Sequence, residues 1–283
     1  MHFITWDDAT GVFTEVVYLI GGADDAQTAS QPVCAGAVNG SVEKMVGPSS
    51  TGSWLDAGVP DLIYARTNHN AVILLDGSIL VVGGLQTQTG PSGDLCFGTT
   101  QAERYETVEV FGNPGAGWEL MGAAAAERRY HSVAGLLPDG RAFSAGGREL
   151  PLPDLHTVEV FSPPYFFQGT RPEIVKSTLT DPVTQPYFYD QPSIDFEVTL
   201  DAAAGVDRVA LIRHGSSTHA FDPDQRYVEL ALAGPATFDS VSGTWSISVV
   251  PPANTFVAPP GYYLLTVVDT NQRPSVAEWI RMQ

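Results

Sequence analysis

Tyr130 and His131 stand side by side in Arg128-Arg129-Tyr130-His131-Ser132, directly ahead of the apolar run 133–137. A phenol and an imidazole are both metal-capable. Neighbouring residues of a strand point to opposite faces, so the two share one ion only where the backbone turns. The stretch therefore reads as a loop just before a strand. A second polar stretch, Arg213-His214-Gly215-Ser216-Ser217-Thr218-His219, continues through Asp222-Pro223-Asp224-Gln225. It follows one strand-like run and precedes another, on a loop placed to reach a different part of the molecule.

The elements that must position these loops repeat along the first two thirds of the chain. Arg66-Thr67-Asn68-His69-Asn70 leads through Asp76-Gly77 to Gly83-Gly84, and Arg128-Arg129-Tyr130-His131-Ser132 leads through Asp139-Gly140 to Gly146-Gly147. The two histidines are 62 positions apart. Between the units lie matched strand-like runs, Val42-Glu43-Lys44-Met45, Val108-Glu109-Val110-Phe111 and Val158-Glu159-Val160-Phe161, and Leu19-Ile20-Gly21-Gly22 resembles the tail of a further unit. Each unit reads as four short strands, the blade of a kelch-type β-propeller with loop insertions. The Asp-Gly pairs suit tight hairpins, and the Gly-Gly pairs suit close approach of backbones. Two units and fragments of others do not close a ring, which implies further blades upstream and open strand edges prone to self-association.

From Gly169-Thr170-Arg171-Pro172 the pattern changes to alternating strands at 196–200, 208–213, 227–232, 245–250, 262–268 and 276–282, as in an immunoglobulin-like sandwich. The expected class is thus all-β: a partial propeller over 1–168 and a sandwich over 169–283. The net charge of −18 argues against phosphate backbones and anionic membranes as partners. No run is long and apolar enough to span a bilayer, and the first residues lack a signal-peptide pattern. Cys34 and Cys96 leave one disulfide or two thiols open.

These loops resemble the copper loops of the galactose oxidase and glyoxal oxidase family. Tyr130-His131 followed by Leu136-Leu137-Pro138-Asp139-Gly140-Arg141 is similar to one; Gly215 to His219 followed by Asp224-Gln225-Arg226 is similar to the other. Pro260-Gly261-Tyr262-Tyr263 and Pro274-Ser275-Val276-Ala277 resemble the end of the family's C-terminal domain. The resemblance implies copper held by His131 and His219, with Tyr130 as the axial phenol that takes the substrate hydroxyl proton. It implies oxidation of a primary alcohol or aldehyde, with carbohydrate among the candidate substrates, coupled to reduction of dioxygen to hydrogen peroxide. It also implies an extracellular or cell-surface setting for the intact relative.

The departure from the family lies in the radical cofactor, a tyrosine joined to a cysteine. The tyrosine's place in the only other loop of this kind is taken by Asn68, and neither cysteine has an identifiable tyrosine partner. The copper site is therefore expected to be partial. The alternative is a non-catalytic kelch-and-sandwich module that binds cell-surface glycan or protein, and a third reading is a truncated frame. Taken individually, His69, His156, His214 and His2 read as structural or surface residues, and Trp54 and Trp118 as core. The Asp222 to Gln225 cluster reads as a turn that stiffens the His219 loop.

Overall fold

The computed structural model describes residues 1–7, 12–23, 38–47, 54–55, 59–90, 93–112, 117–147, 155–201 and 204–283. The chain is almost entirely β. The first repeat unit is a four-stranded sheet ordered Glu119–Leu120, Glu103–Tyr105, Ile79–Val82, Asn70–Ile73; the second is a three-stranded sheet ordered Ser132–Leu136, Ala142–Gly146, Val158–Phe161. The hairpin in the first unit closes as a three-residue loop: Leu74 N–H donates to Ser78 O, Gly77 N–H donates to Leu74 O, and Gly77 alone is left-handed at φ +86°. The second unit repeats this at Leu137–Arg141 with Gly140 at φ +95°. Aspartate followed by a left-handed glycine is the chemistry such a loop demands.

One expected strand is a helix. Val108–Phe111 forms a single helical turn, and the ladder position belongs to Glu103–Tyr105, all three residues of which are buried. Tertiary contacts override the β-branched pattern here. Glu109 takes the Tyr18 hydroxyl and Lys44, while the Phe111 ring lies under the guanidinium of Arg208 at 5.2 Å. The other two runs of the same type are strands, in Val38–Val46 and Val158–Phe161.

A buried arginine ties each unit together. Arg66 donates to Gly83 O at the end of the second strand and to Glu103 in the third, and Glu103 in turn accepts the backbone N–H groups of Ile63 and Tyr64. Both side chains are fully buried. Arg128 repeats the arrangement, donating to Gly146 O at 3.0 Å. The Gly-Gly tail of one unit then docks on the arginine of the next. Gly22 N–H donates to Arg66 O and Gly84 N–H donates to Arg128 O. A Cβ on Gly83, at φ +67°, would stand 2.6 Å from that Arg128 oxygen, so only glycine permits the approach.

The six strands expected in the C-terminal part are all present to within two residues, four in one sheet and two in its partner. Ile194–Thr199 and Thr244–Val249 belong to the smaller sheet, which shares a core with the larger one through Phe196, Val228, Ile247 and Leu265. The larger sheet has eight strands because the N-terminal segment joins it. His2–Asp7 lies parallel to Arg226–Leu230, followed by Val12–Ala23, Val38–Val46 and Trp54–Leu55. This sheet therefore contains strands from both sides of residue 168.

Both repeat-unit hairpins are gripped from the C-terminal part. Arg208 donates to Asp76 O at 2.8 Å, and Arg171 donates to Asp139 O, Pro274 O and Ser275 O. Removing one partner of a buried ion pair strands the other charge, so Glu103→Ala is expected to cost about 3–5 kcal/mol. The exposed Lys176–Glu278 pair should contribute under about 1 kcal/mol. Urea denaturation of Glu103→Ala and Lys176→Ala measures the contrast.

Candidate metal centre

The backbone turns where the chemistry requires it. Ser132 N–H returns to Arg129 O at 3.1 Å, closing a turn over Tyr130 and His131, with His131 left-handed at φ +63°. The turn lays the Tyr130 and His131 rings face to face, with centroids 4.0 Å apart. Arg128 fixes the start of the loop from inside, and Ser132 begins the next strand.

The second loop is built more tightly. Thr218 and Phe221 exchange two backbone hydrogen bonds, which makes His219 and Ala220 the central residues of a two-residue turn, at φ +54° and +59°. Two consecutive left-handed residues define the type I′ turn, which favours Asn-Gly. His-Ala is strained there, and such strain gathers at functional sites. Around this turn, Asp222 Oδ1 accepts the N–H groups of Ser216, Asp224 and Gln225. The Asp222 to Gln225 cluster thus stiffens the loop.

The two loops meet. The His131 and His219 ring centroids lie 4.9 Å apart with planes at 84°, and Tyr130 lies 5.9 Å from His219. Two imidazoles binding one ion at about 2 Å, at right angles to each other, have centroids roughly 4.5 Å apart. The spacing of the two imidazoles is close to that value and Tyr130 stands beside them, so the three are candidate donors to one cation. His131 and His219 are exposed and Tyr130 is half-buried, so the group opens to solvent. The Thr218 hydroxyl lies 2.6 Å from His219 Nδ1, and when Nδ1 carries the proton this contact leaves the Nε2 lone pair for a metal. Among the described residues, no three or more His, Cys, Asp or Glu side chains gather; three donors are reached here only through the phenol.

A relay of amides and hydroxyls holds the loops in register. Ser217 Oγ donates to Asn70 Oδ1 and Asn70 Nδ2 donates to Ser132 Oγ, each at 2.9 Å. Gln225 accepts from Ile73 N–H and donates to Ala71 O, riveting the His219 loop to the first unit's opening strand. Asn70, Ser132 and Ser217 carry no local sequence mark of a positioning role, and Gln225, read as part of the turn that stiffens its own loop, also reaches the first unit. The signal lay in the repeat: Asn70 and Ser132 occupy the same phase, 62 positions apart.

The remaining histidines lie elsewhere. His69 is buried against the Gly21 and Gly84 backbone, and Nδ1 has no partner among the described residues. His214 bonds Leu136 O and stacks on Trp279; His156 is exposed; His2 meets Glu15. Asn68 is left-handed at φ +54°. Trp118 is core, stacked on Tyr105. Cys34 and the side chains of Cys96 and Trp54 lie outside the described residues.

The fold and ring group define an all-β protein with a two-histidine, one-tyrosine cluster at the seam between its repeat units and its C-terminal sheets. Residues 171–282 match the galactose oxidase-like, early set domain family. A galactose oxidase of Gibberella zeae is 31% identical over 230 residues, covering 78% of this chain and 30% of the relative. The aldehyde oxidase GLOX of Vitis pseudoreticulata is 26% identical over 253 residues, covering 86% of this chain and 46% of the relative. A solved fungal alcohol oxidase, in complex with copper, superposes on the whole chain with a TM-score of 0.69 at 23% identity, and 54% of that protein is covered. The chain is a relative of the galactose oxidase and glyoxal oxidase group, and it spans about half or less of each of these proteins. No helix among the described residues is long and apolar enough to cross a membrane.

Two outcomes follow from this geometry. Ala220→Gly should raise stability by up to about 1 kcal/mol in urea denaturation by relieving a left-handed alanine, and Ala220→Val should lower it. Burial, reinforced by the Arg66 charge, lowers the His69 pKa to about 4. The unfolded chain binds this proton near pH 6.5, so His69 withdraws about 3 kcal/mol of stability as pH falls from 6.5 to 4. Denaturation at pH 7 and pH 4 should show a flatter dependence in His69→Asn.

Proposed function

We propose that this chain carries the copper-holding portion of a galactose oxidase- or glyoxal oxidase-like protein. The observation that supports the reading is the convergence of Tyr130, His131 and His219 from two separate loops, in the family's order. On this reading the chain divides into an incomplete kelch propeller over 1–168 and an early-set sandwich over 169–283, with the N-terminal strands lent to the sandwich sheet.

Neutral imidazoles and a phenolate suit tetragonal copper(II). When bound, copper(II) would supply a Lewis acid that acidifies an alcohol oxygen and would take up one of the two electrons that the alcohol loses on oxidation. His131 and His219 hold it. The Tyr130 oxygen accepts the substrate hydroxyl proton, and the exposed side of the group admits a small primary alcohol, aldehyde or sugar. Asn70 keeps both histidine loops at a fixed separation.

The second electron has no acceptor among these residues. In the family it goes to the tyrosine-cysteine radical, and the matching position in the one other loop of this type is Asn68, an amide that forms no such radical. Turnover therefore needs a tyrosine supplied from upstream. An extracellular or cell-surface setting for the intact protein accompanies this reading.

Titration calorimetry with copper(II) tests it. The chain should bind one ion; His131→Ala and His219→Ala should each abolish tight binding, and Asn70→Ala should weaken it by about tenfold. No peroxide should form from primary alcohols. Copper affinity that survives His219→Ala would refute the proposed site.

A further inference from the structure

The first repeat unit closes with a fourth strand and the second does not. Glu119–Leu120 pairs with Arg104 and Glu103, and near the N-terminal end Trp54–Leu55 pairs with Met45 and Lys44 in the same way. In the second unit Val158–Phe161 ends the sheet, and among the described residues no strand pairs with its outer side. Gly146 N–H donates to Thr157 O, so by antiparallel alternation Glu159 and Phe161 bond inward, and the N–H and C=O groups of Val158 and Val160 face outward. Their side chains are 64% and 49% exposed. Edge strands are commonly blunted by lysine, proline or a bulge, and this one carries none of them.

The second unit has an open socket as well as an open edge. In the first unit Trp118, next to the fourth strand, stacks on Tyr105 with ring centroids 5.3 Å apart and donates from Nε1 to Pro60 O at 2.9 Å. Both rings are buried. The second unit repeats the walls of this arrangement without the indole. Phe161 holds the place of Tyr105: each stands two residues beyond the glutamate that faces its unit's arginine, and opposite the first residue of the second strand. Gly122 holds the place of Pro60, each six positions before that arginine. Phe161 and Gly122 both line a groove of about 480 Å³ between the units, together with Ala123, Phe143 and Phe167. Phe161 is only half-buried there, as a ring without its stacking partner is.

We propose that this edge and groove together bind an extended strand of another polypeptide that carries tryptophan in the Gly-Trp-x-Leu pattern of the first unit's own closing strand. Backbone hydrogen bonds to Val158 and Val160 extend the sheet to four strands, and the indole enters the groove against Phe161. The main chain supplies affinity and the side-chain pocket supplies selectivity. An indole is a large apolar ring with a single N–H donor, and the first unit meets both needs at once with a stacked ring and a backbone carbonyl. A second copy of this chain has no such strand to spare: Trp6, Trp54, Trp118, Trp245 and Trp279 all lie in or beside strands already paired within their own sheets. Copper takes no part in the site.

A synthetic peptide with the sequence Gly115-Ala116-Gly117-Trp118-Glu119-Leu120-Met121, capped at both ends and titrated calorimetrically into the metal-free chain, tests the proposal. It should bind saturably at one site per chain, and the same peptide with alanine for its tryptophan should bind at least about tenfold more weakly. Val160→Pro, which removes an outward N–H and spares the inner ladder, should weaken binding of the tryptophan peptide by about tenfold or more. Phe161→Ala, which removes the stacking ring, should do the same, and it decides the location if Val160→Pro does not fold. Absence of saturable binding, equal binding of the alanine peptide, or affinity unchanged in the folded variants would overturn the proposal. So would a chain that sediments as a dimer and becomes monomeric in Val160→Pro, since the edge would then belong to a second copy.

Discussion

Asn70 must satisfy two loops at once. Its amide oxygen accepts from Ser217 on the His219 loop, and its amide nitrogen donates to Ser132 at the end of the Tyr130-His131 loop. The side chain is 4% exposed, so neither bond competes with bulk water. An amide is the one small side chain offering an acceptor and a donor on a planar fork, which is the geometry needed to couple two hydroxyls. If the two loops moved independently, the rings could not stay within 6 Å of each other across a seam between sheets. Gln225 does the same task at longer range, pairing its amide with the backbone of the first unit's opening strand.

Beneath this seam lies a hierarchy of buried arginines. Arg66 and Arg128 close the repeat units from within, and Arg171 and Arg208 fasten the hairpin turns to the C-terminal sheets. All four donate to backbone carbonyls that a hairpin or strand end would otherwise leave unpaired in the interior. The guanidinium fork reaches several acceptors at once, which a lysine does not. In a strongly acidic chain with few cations, these arginines therefore serve the inside of the fold. The Gly-Gly tails complete the stack, since their lack of Cβ lets one unit's strand end touch the next unit's arginine carbonyl.

Much of this was legible in the sequence, for identifiable reasons. The C-terminal strands were legible as short apolar segments between turn residues: Ile194–Thr199 alternates because one of its faces is core, and Val206–Arg213 and Gly261–Asp269 are continuous apolar runs because both of theirs are. The Asp-Gly turns and Gly-Gly tails were legible because left-handed φ restricts residue type. The turn at Tyr130-His131 followed from the demand that neighbours face one way. What was not legible was anything decided by a partner distant in sequence. Val108–Phe111 has a strand's composition, but Glu109 and Phe111 are claimed by Tyr18, Lys44 and Arg208 from remote segments. The joining of the N-terminal strands to the sandwich sheet left no local trace either, since backbone pairing is blind to side-chain motif. Asn70 looked like an ordinary loop amide until both hydroxyls were in view.

The central claim is that His131 and His219 bind the same ion. Pulsed electron paramagnetic resonance of the copper(II)-loaded chain counts the imidazoles coupled to the metal through their remote nitrogens. Two equivalent couplings in the wild-type chain, reduced to one in a variant lacking either histidine, is the result this account predicts. A spectrum with no imidazole coupling, or one unchanged when His131 or His219 is replaced, would contradict it.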